Sequence, residues 1–330
     1  MSRSWPQDQD GPPEPVHLVA PLPAVEQAEW QGAFTPYVVG DPGRAAARVR
    51  PAYAPAFPDR PDTVLDGIVV NGPDGQPSVT VRAASIRGLS HRHYARVRQD
   101  DYALRGTPDG RYLVLCVADG VSSGPRSHLA AWWAAHEGTD ELVRLLSRTG
   151  PEDLPWPGFL QWTANRIVAL AGDHIEGIGT DPGEVAAQLA TALTYAVVEL
   201  AAGADGQAAH LISVGDTSGW VLTGDGRWCP QQPVKNADAD IYSSGVTALP
   251  LLPTVPPLPV RTVIGPDEVL VLMTDGVGDP LGDGSGAVGR FLAHAWREPP
   301  ADIEFAAQIG FARRSFDDDR TVVAVWPTRL

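Results

Sequence analysis

Four short apolar runs of this 330-residue chain carry aspartate at one end. LVLCVA leads into Asp119 and Gly120, HLISVG into Asp216, VLVLMT into Asp275, and Asp318 with Asp319 comes just before TVVAVW. A single such placement is ordinary, because Asp-Gly favours turns and loops begin where strands stop. The combination is not: if these strands lie in facing sheets their ends converge, and carboxylates brought together repel unless cations neutralise them. No His/Cys cluster has zinc spacing, whereas carboxylates, a backbone carbonyl and water suit Mg²⁺ or Mn²⁺. Gly120 would let its carbonyl approach an ion closely. Two ions sharing a carboxylate can activate a bridging water and clamp a phosphoryl group, so the chemistry suggested is hydrolysis of a phosphate ester.

The elements that must position these residues are short apolar runs bounded by Gly, Asp and Asn, the pattern of strands. They are predicted at 78–86, 112–118, 190–200, 209–215, 219–223, 260–264, 268–274 and 321–326. Helical patterns fall at 127–148, with Ser127 as a candidate cap, and at 158–175, 286–296 and 301–314. The pairs HLISVG/GWVLT and VRTVI/EVLVLMT, each joined by a short turn, read as antiparallel hairpins. The fold class expected is α+β, a layered sandwich of antiparallel sheets and helices. Residues 1–76 are proline-rich and without sustained period, and read as an arm, loose or draped on the domain. The domain proper is expected over 77–330, interrupted by a proline-dense insertion or flap at about 229–260.

Composition excludes several classes of function. A formal net charge of -15 repels phosphate backbones and anionic lipid, which argues against nucleic-acid and membrane partners. Two cysteines, Cys116 in an apolar run and Cys229 beside Pro230, form no CxxC and no disulfide framework, which suits a reducing cytoplasm. The N-terminus lacks a secretory pattern, and the stretch 186–204 is broken by Gln188, Thr191, Thr194 and Glu199, short of a membrane span. There is no GxxxxGK[ST], no GxGxxG after a strand and no GxSxG, so nucleotide-binding and serine-hydrolase readings lack their anchors.

The ordered set RQDD (98–101), VADG (117–120), QLATAL (188–193), ISVGDTSG (212–219), VLMTDGVGD (271–279) and FDDDRTVVAV (316–325) resembles the metal-dependent serine/threonine phosphatases of type 2C, the PPM family, in their bacterial form. The resemblance covers about 77–327 and implies a four-layer sandwich, two antiparallel sheets flanked by helices, with two Mg²⁺ or Mn²⁺ ions at the sheet edge. It places Asp119 at the bridging aspartate, Gly120 at the glycine whose carbonyl binds the second ion, Asp275 in the TDG motif and Asp318 in the DNxT motif. Asp100, after Gln99, matches the acidic pair that binds metal or orients metal-bound water. Asp216 and Asp279 match positions that hold a third, weaker ion in many bacterial members.

Departures from the pattern are equally specific. In many members an arginine four residues ahead of the acidic pair binds the substrate phosphate; with the pair taken at Gln99–Asp100 that place is Ala95. Arg98, Arg92, Arg96, His91 and His93 lie nearby as candidates, each with an ordinary structural role as the alternative. Val121 stands where animal and plant members often have histidine, and Asp319 replaces the common asparagine. The activity implied is hydrolysis of phosphoserine or phosphothreonine in proteins by a monomeric cytoplasmic enzyme, with a bacterial serine/threonine kinase and its substrates as implied partners. A water attack needs no protein nucleophile, and Cys116 reads as core. A non-catalytic binding or regulatory module of the same fold and a small-molecule metal phosphoesterase remain as alternatives.

Overall fold

The computed structural model describes residues 37–43, 60–232 and 247–328. Eleven strands among them form two antiparallel sheets. One has the order β1 (Thr63–Asn71), β2 (Pro77–Ile86), β11 (Arg320–Pro327), β10 (Val269–Met273), β7 (Ser218–Leu222), β8 (Trp228–Pro230). The other has the order β3 (Asp101–Gly106), β4 (Tyr112–Gly120), β5 (Thr191–Glu199), β6 (Gln207–Val214), β9 (Val260–Ile264). The helices are α1 (Leu89–His93), α2 (Ser127–Leu146), α3 (Trp156–His174), α4 (Pro182–Ala186), α5 (Asp275–Leu281), α6 (Ala287–Ala295) and α7 (Asp302–Ile309).

Strand β4 shows why its sequence is apolar without alternation. Leu113, Leu115 and Val117 join the core between the sheets with Val81 of β2, Leu272 of β10 and Val323 of β11. Val114, Cys116 and Ala118 face the other way, into a core with Ala134 and Leu142 of α2 and Phe159 of α3. Side chains alternate across a strand, so a strand covered on both faces is apolar throughout. A third core lies on the outer face of the sheet that contains β7, β10 and β11, where Val271, Ala324 and Trp220 meet Val277 of α5, Leu292 of α6 and Phe305 of α7. The layers are therefore helix, sheet, sheet, helix, and Cys116 is core as expected.

Three sequence expectations differ from the structure. The boundary expected at 76/77 falls inside a hairpin, since β1 pairs with β2 from Thr63↔Ile86 to Asn71↔Pro77. β1 is an edge strand with most residues exposed, so it lacks the apolar alternation that marks a strand. Residues 1–36 and 44–59 of the expected arm and 233–246 of the expected flap lie outside the described residues. The two expected hairpins are sheet-to-sheet crossings: β6 and β9 belong to one sheet, β7 and β10 to the other. A short turn looks the same whether the chain returns beside itself or steps to the facing sheet. Ser127 does not cap α2; its hydroxyl donates to the Gly124 carbonyl at 3.1 Å and accepts from Gln99 at 2.6 Å.

Candidate active site

Strand register brings the aspartates to one edge of the sandwich. β3 begins opposite the end of β4, with Asp101 paired to Ala118, so Asp100 arrives beside Asp119 and Gly120. In the facing sheet Met273, the last residue of β10, pairs with both Val322 of β11 and Ser218 of β7. Asp275 therefore leaves β10 at the edge where Asp318 and Asp319 enter β11 and where Asp216 precedes β7. Gly120 is needed for closeness: a Cβ there would stand 2.7 Å from the Gln99 carbonyl oxygen and 2.9 Å from the Ser127 backbone.

The carboxylates act on one another. Burial, then Asp100, Asp275, Asp216 and Asp318, push Asp119 well above the usual carboxylate range. Burial and Asp319 do the same to Asp100, opposed by a hydrogen bond from the Thr274 hydroxyl at 2.8 Å. Asp275 is pushed up to about 7 by burial, Asp216 and Asp318, with Asp279 adding to it and a hydrogen bond with Asp119 opposing. Asp318 is raised by burial and by Asp319. A set of mutually repelling carboxylates held at elevated pKa, buried at Asp100 and half-buried at Asp119, Asp275 and Asp318, is a fit for hard divalent cations, which restore the charged form and satisfy the oxygens.

A family model for protein phosphatase 2C matches residues 87–307. The chain belongs to that family. No curated protein sequence matches it. Among solved structures it is similar to a phosphatase from Toxoplasma gondii, at 11% identity and TM-score 0.51, covering 81% of this chain and 97% of that one. It is also similar to the Mycobacterium tuberculosis serine/threonine phosphatase PstP/Ppp, at 17% identity and TM-score 0.47, over 76% of this chain and 100% of that one. RsbX in complex with magnesium matches at 11% identity and TM-score 0.49, over 80% of this chain and 100% of that one. These identities bear on the fold alone, and the fold is the two-sheet sandwich of the phosphatase 2C family.

Neighbouring side chains hold the acidic edge in place. Thr274, of the TDG motif, also accepts the Thr321 N–H at 3.0 Å, tying β10 to β11. Arg98 donates to the Asp100 carbonyl at 2.7 Å and to Ser85, whose hydroxyl shares a 2.6 Å hydrogen bond with Thr321. Arg60 donates to the same Asp100 carbonyl at 2.8 Å and to Asp101 at 2.6 Å. The Thr191 hydroxyl donates to the Asp119 carbonyl at 2.8 Å. Thr274 and Thr191 both fall within sequence motifs of the family. Arg60, ahead of the residues that the family model matches, carried no sequence signal.

The phosphate-binding candidates separate by burial. Arg98 is 1% exposed with its donors committed to Asp100, Ser85 and Pro61, so it is a structural residue and not available to a ligand. His91 is 2% exposed, set between Asp318 and Asp319, and is likewise internal. Arg96 and His93 are exposed and Arg92 is half-buried. Asp101 turns away from the acidic edge to Arg60, whereas Asp100 accepts from Thr274 at that edge. Arg96, one of the candidates from sequence, is exposed and stands four residues ahead of Asp100. His128 is internal, pushed down to about 4 by burial, Arg60 and Arg126, while Arg126 itself is exposed.

Among the described residues, one group of three His, Cys, Asp or Glu brings its ligand atoms within 4.8 Å of one another: His91, Asp318 and Asp319. No three of Asp100, Asp119, Asp275 and Asp318 meet at that spacing. A cavity of about 280 Å³ lined by Leu222, Val269, Trp296 and Arg297 lies at the opposite ends of β7 and β10 from the acidic edge. Among the described residues no helix is long and apolar enough to cross a membrane.

Proposed function

We propose that the protein is a metal-dependent phosphatase that hydrolyses phosphoserine or phosphothreonine in proteins. The observation that carries this reading is the register-driven convergence of Asp100, Asp119, Asp275 and Asp318, each with a raised pKa, in the order of the family's motifs. Asp119, Asp275, Asp318 and the Gly120 carbonyl would hold two Mg²⁺ or Mn²⁺ ions, with Asp100 binding them directly or through water and Asp216 and Asp279 holding a third. Bound there, such ions lower the pKa of a shared water and draw charge from the phosphoryl oxygens.

The chain's own residues supply orientation. Thr274 fixes the Asp100 carboxylate, and Arg98 and Arg60 hold the Asp100 main chain from two sides. Arg96, exposed and four residues ahead of Asp100, takes the substrate phosphate. The site is an edge of the sandwich, and the 280 Å³ cavity lies at the far ends of β7 and β10, which favours a phosphate presented on a protein over a buried metabolite. The test is hydrolysis of a phosphothreonine peptide and of p-nitrophenyl phosphate with and without Mn²⁺. Turnover at the level of an Asp119→Asn control would overturn the reading. With activity present, Arg96→Ala should raise KM more than it lowers kcat, and an unchanged KM would move that role to Arg92 or His93.

A further inference from the structure

Residue 319 is an aspartate where the family commonly has asparagine, and the surrounding donors explain it. Asp319 is 2% exposed. Its Oδ1 accepts the Gly88 N–H at 2.6 Å and its Oδ2 accepts the Gln99 N–H at 2.5 Å. An asparagine has one accepting oxygen, so its amide group would turn an N–H against one of these two backbone donors. Neither loop can retreat easily. A Cβ on Gly88 would overlap the Asp317–Asp318 backbone, and the Gln99 side chain is tied to Gly124 at 3.0 Å and Ser127 at 2.6 Å.

The same carboxylate meets His91. Nδ1 lies 2.9 Å from Asp319 Oδ2, off the line of an ideal hydrogen bond, while Nε2 faces Asp318 Oδ1 at 3.6 Å. The Asp319 N–H donates to the same Asp318 oxygen at 2.9 Å. Asp318 is thus approached by the Asp319 main-chain N–H within hydrogen-bond distance and by the His91 ring, which stands at ion-pair distance between Asp318 and Asp319. Asp319 has its own oxygens engaged by N–H groups, which makes the close His91–Asp318–Asp319 group a support and not a cation site of its own.

We infer that His91 and Asp319 are a positioning pair that fixes the Asp318 carboxylate for cation binding. This rests on the metal-dependent reading above. Ligand carboxylates held by such neighbours typically lose about 10- to 100-fold in metal affinity when the neighbour is removed.

The experiment compares His91→Asn, His91→Gln and Asp319→Asn by calorimetric titration of the full chain with Mn²⁺. Both His91 variants remove the ring and disturb packing alike, but asparagine retains a donor near Nδ1 and glutamine one near Nε2. Mn²⁺ affinity should fall about 10-fold or more in His91→Asn and recover in large part in His91→Gln. Asp319→Asn should weaken Mn²⁺ binding and lower the metal-free melting temperature by about 5 °C, although it installs the family's usual residue. Equal Mn²⁺ affinity in the two His91 variants, or wild-type affinity in Asp319→Asn, overturns the pair. Should the wild type bind no Mn²⁺, the proposed function falls, and metal-free crystal structures decide the pair separately. An Asp318 carboxylate displaced in His91→Asn supports it, and one in its wild-type rotamer overturns it.

Discussion

Asp100 and Asp101 are neighbours in sequence, both are buried, and they belong to regions of opposite electrostatic character. Asp100 faces the acidic edge, where Asp119, Asp275 and Asp318 raise one another. Asp101 faces α2, where burial alone would raise it but His136, Arg60 and Arg98 bring it down to about 2. On that side carboxylates have cations: Arg60 reaches Asp101 at 2.6 Å and Arg105 reaches Asp140 at 2.7 Å. The difference separates stability from function. The paired side carries its own counter-charges, whereas the carboxylates of the acidic edge repel one another.

The largest effect that can break this contrast is expected at Asp119. Asp119→Asn should lower Mn²⁺-dependent turnover at least about 100-fold and, by removing a repelling charge, raise the metal-free melting temperature. A fall in metal-free stability on that substitution would mean that the acidic edge is not strained. Asp101→Asn should do the reverse, costing about 3 kcal/mol in denaturant unfolding because Arg60 is left buried without its partner. A cost below about 1 kcal/mol would place Arg60–Asp101 among ordinary surface pairs.

Acidity sharpens the contrast, because the two sides respond with opposite sign. Asp275 has a folded pKa of about 7 against an ordinary 3.8, so the native state holds the proton longer than the unfolded chain does. Metal-free stability should therefore fall as pH rises from about 4 to about 7, and this slope should flatten in Asp275→Asn. Asp101, depressed to about 2, contributes stability that is full above about 4 and lost as pH falls toward 2. Melting curves with EDTA across this range measure both limbs, and saturating Mn²⁺ should offset the loss on the upper one. The smallest effect is expected at Arg105→Ala, within about 0.5 kcal/mol, since that pair is solvent-exposed; a larger loss would give the exposed rim of the paired side a stabilising role.

Much of the acidic edge is legible in the amino-acid sequence, and the reason is local. Asp119, Asp216 and Asp275 each sit where an apolar run stops and Asp318 just before one starts, and strand ends can be read from composition alone. The doubly covered strands are legible for the same reason, as with the uninterrupted LVLCVA. β1 is not, because an exposed edge strand has no buried face to enforce a pattern. Nor are the crossings from β6 to β7 and from β9 to β10, where the choice of sheet is made by partners distant in sequence.

Sequence by itself singled out the carboxylates at the ends of apolar runs as candidates for a cation site, because residue type and periodicity are properties of the chain. Only the tertiary structure decided where the candidate side chains sit. It placed Arg98 and His91 inside, left Arg96 exposed, joined Arg60 to the Asp100 main chain and surrounded Asp319 with donors that an asparagine could not satisfy. The physical reason is that a side chain's role depends on which groups from remote segments reach it, and segments as far apart as 88, 99 and 319 meet only when the sheets stack.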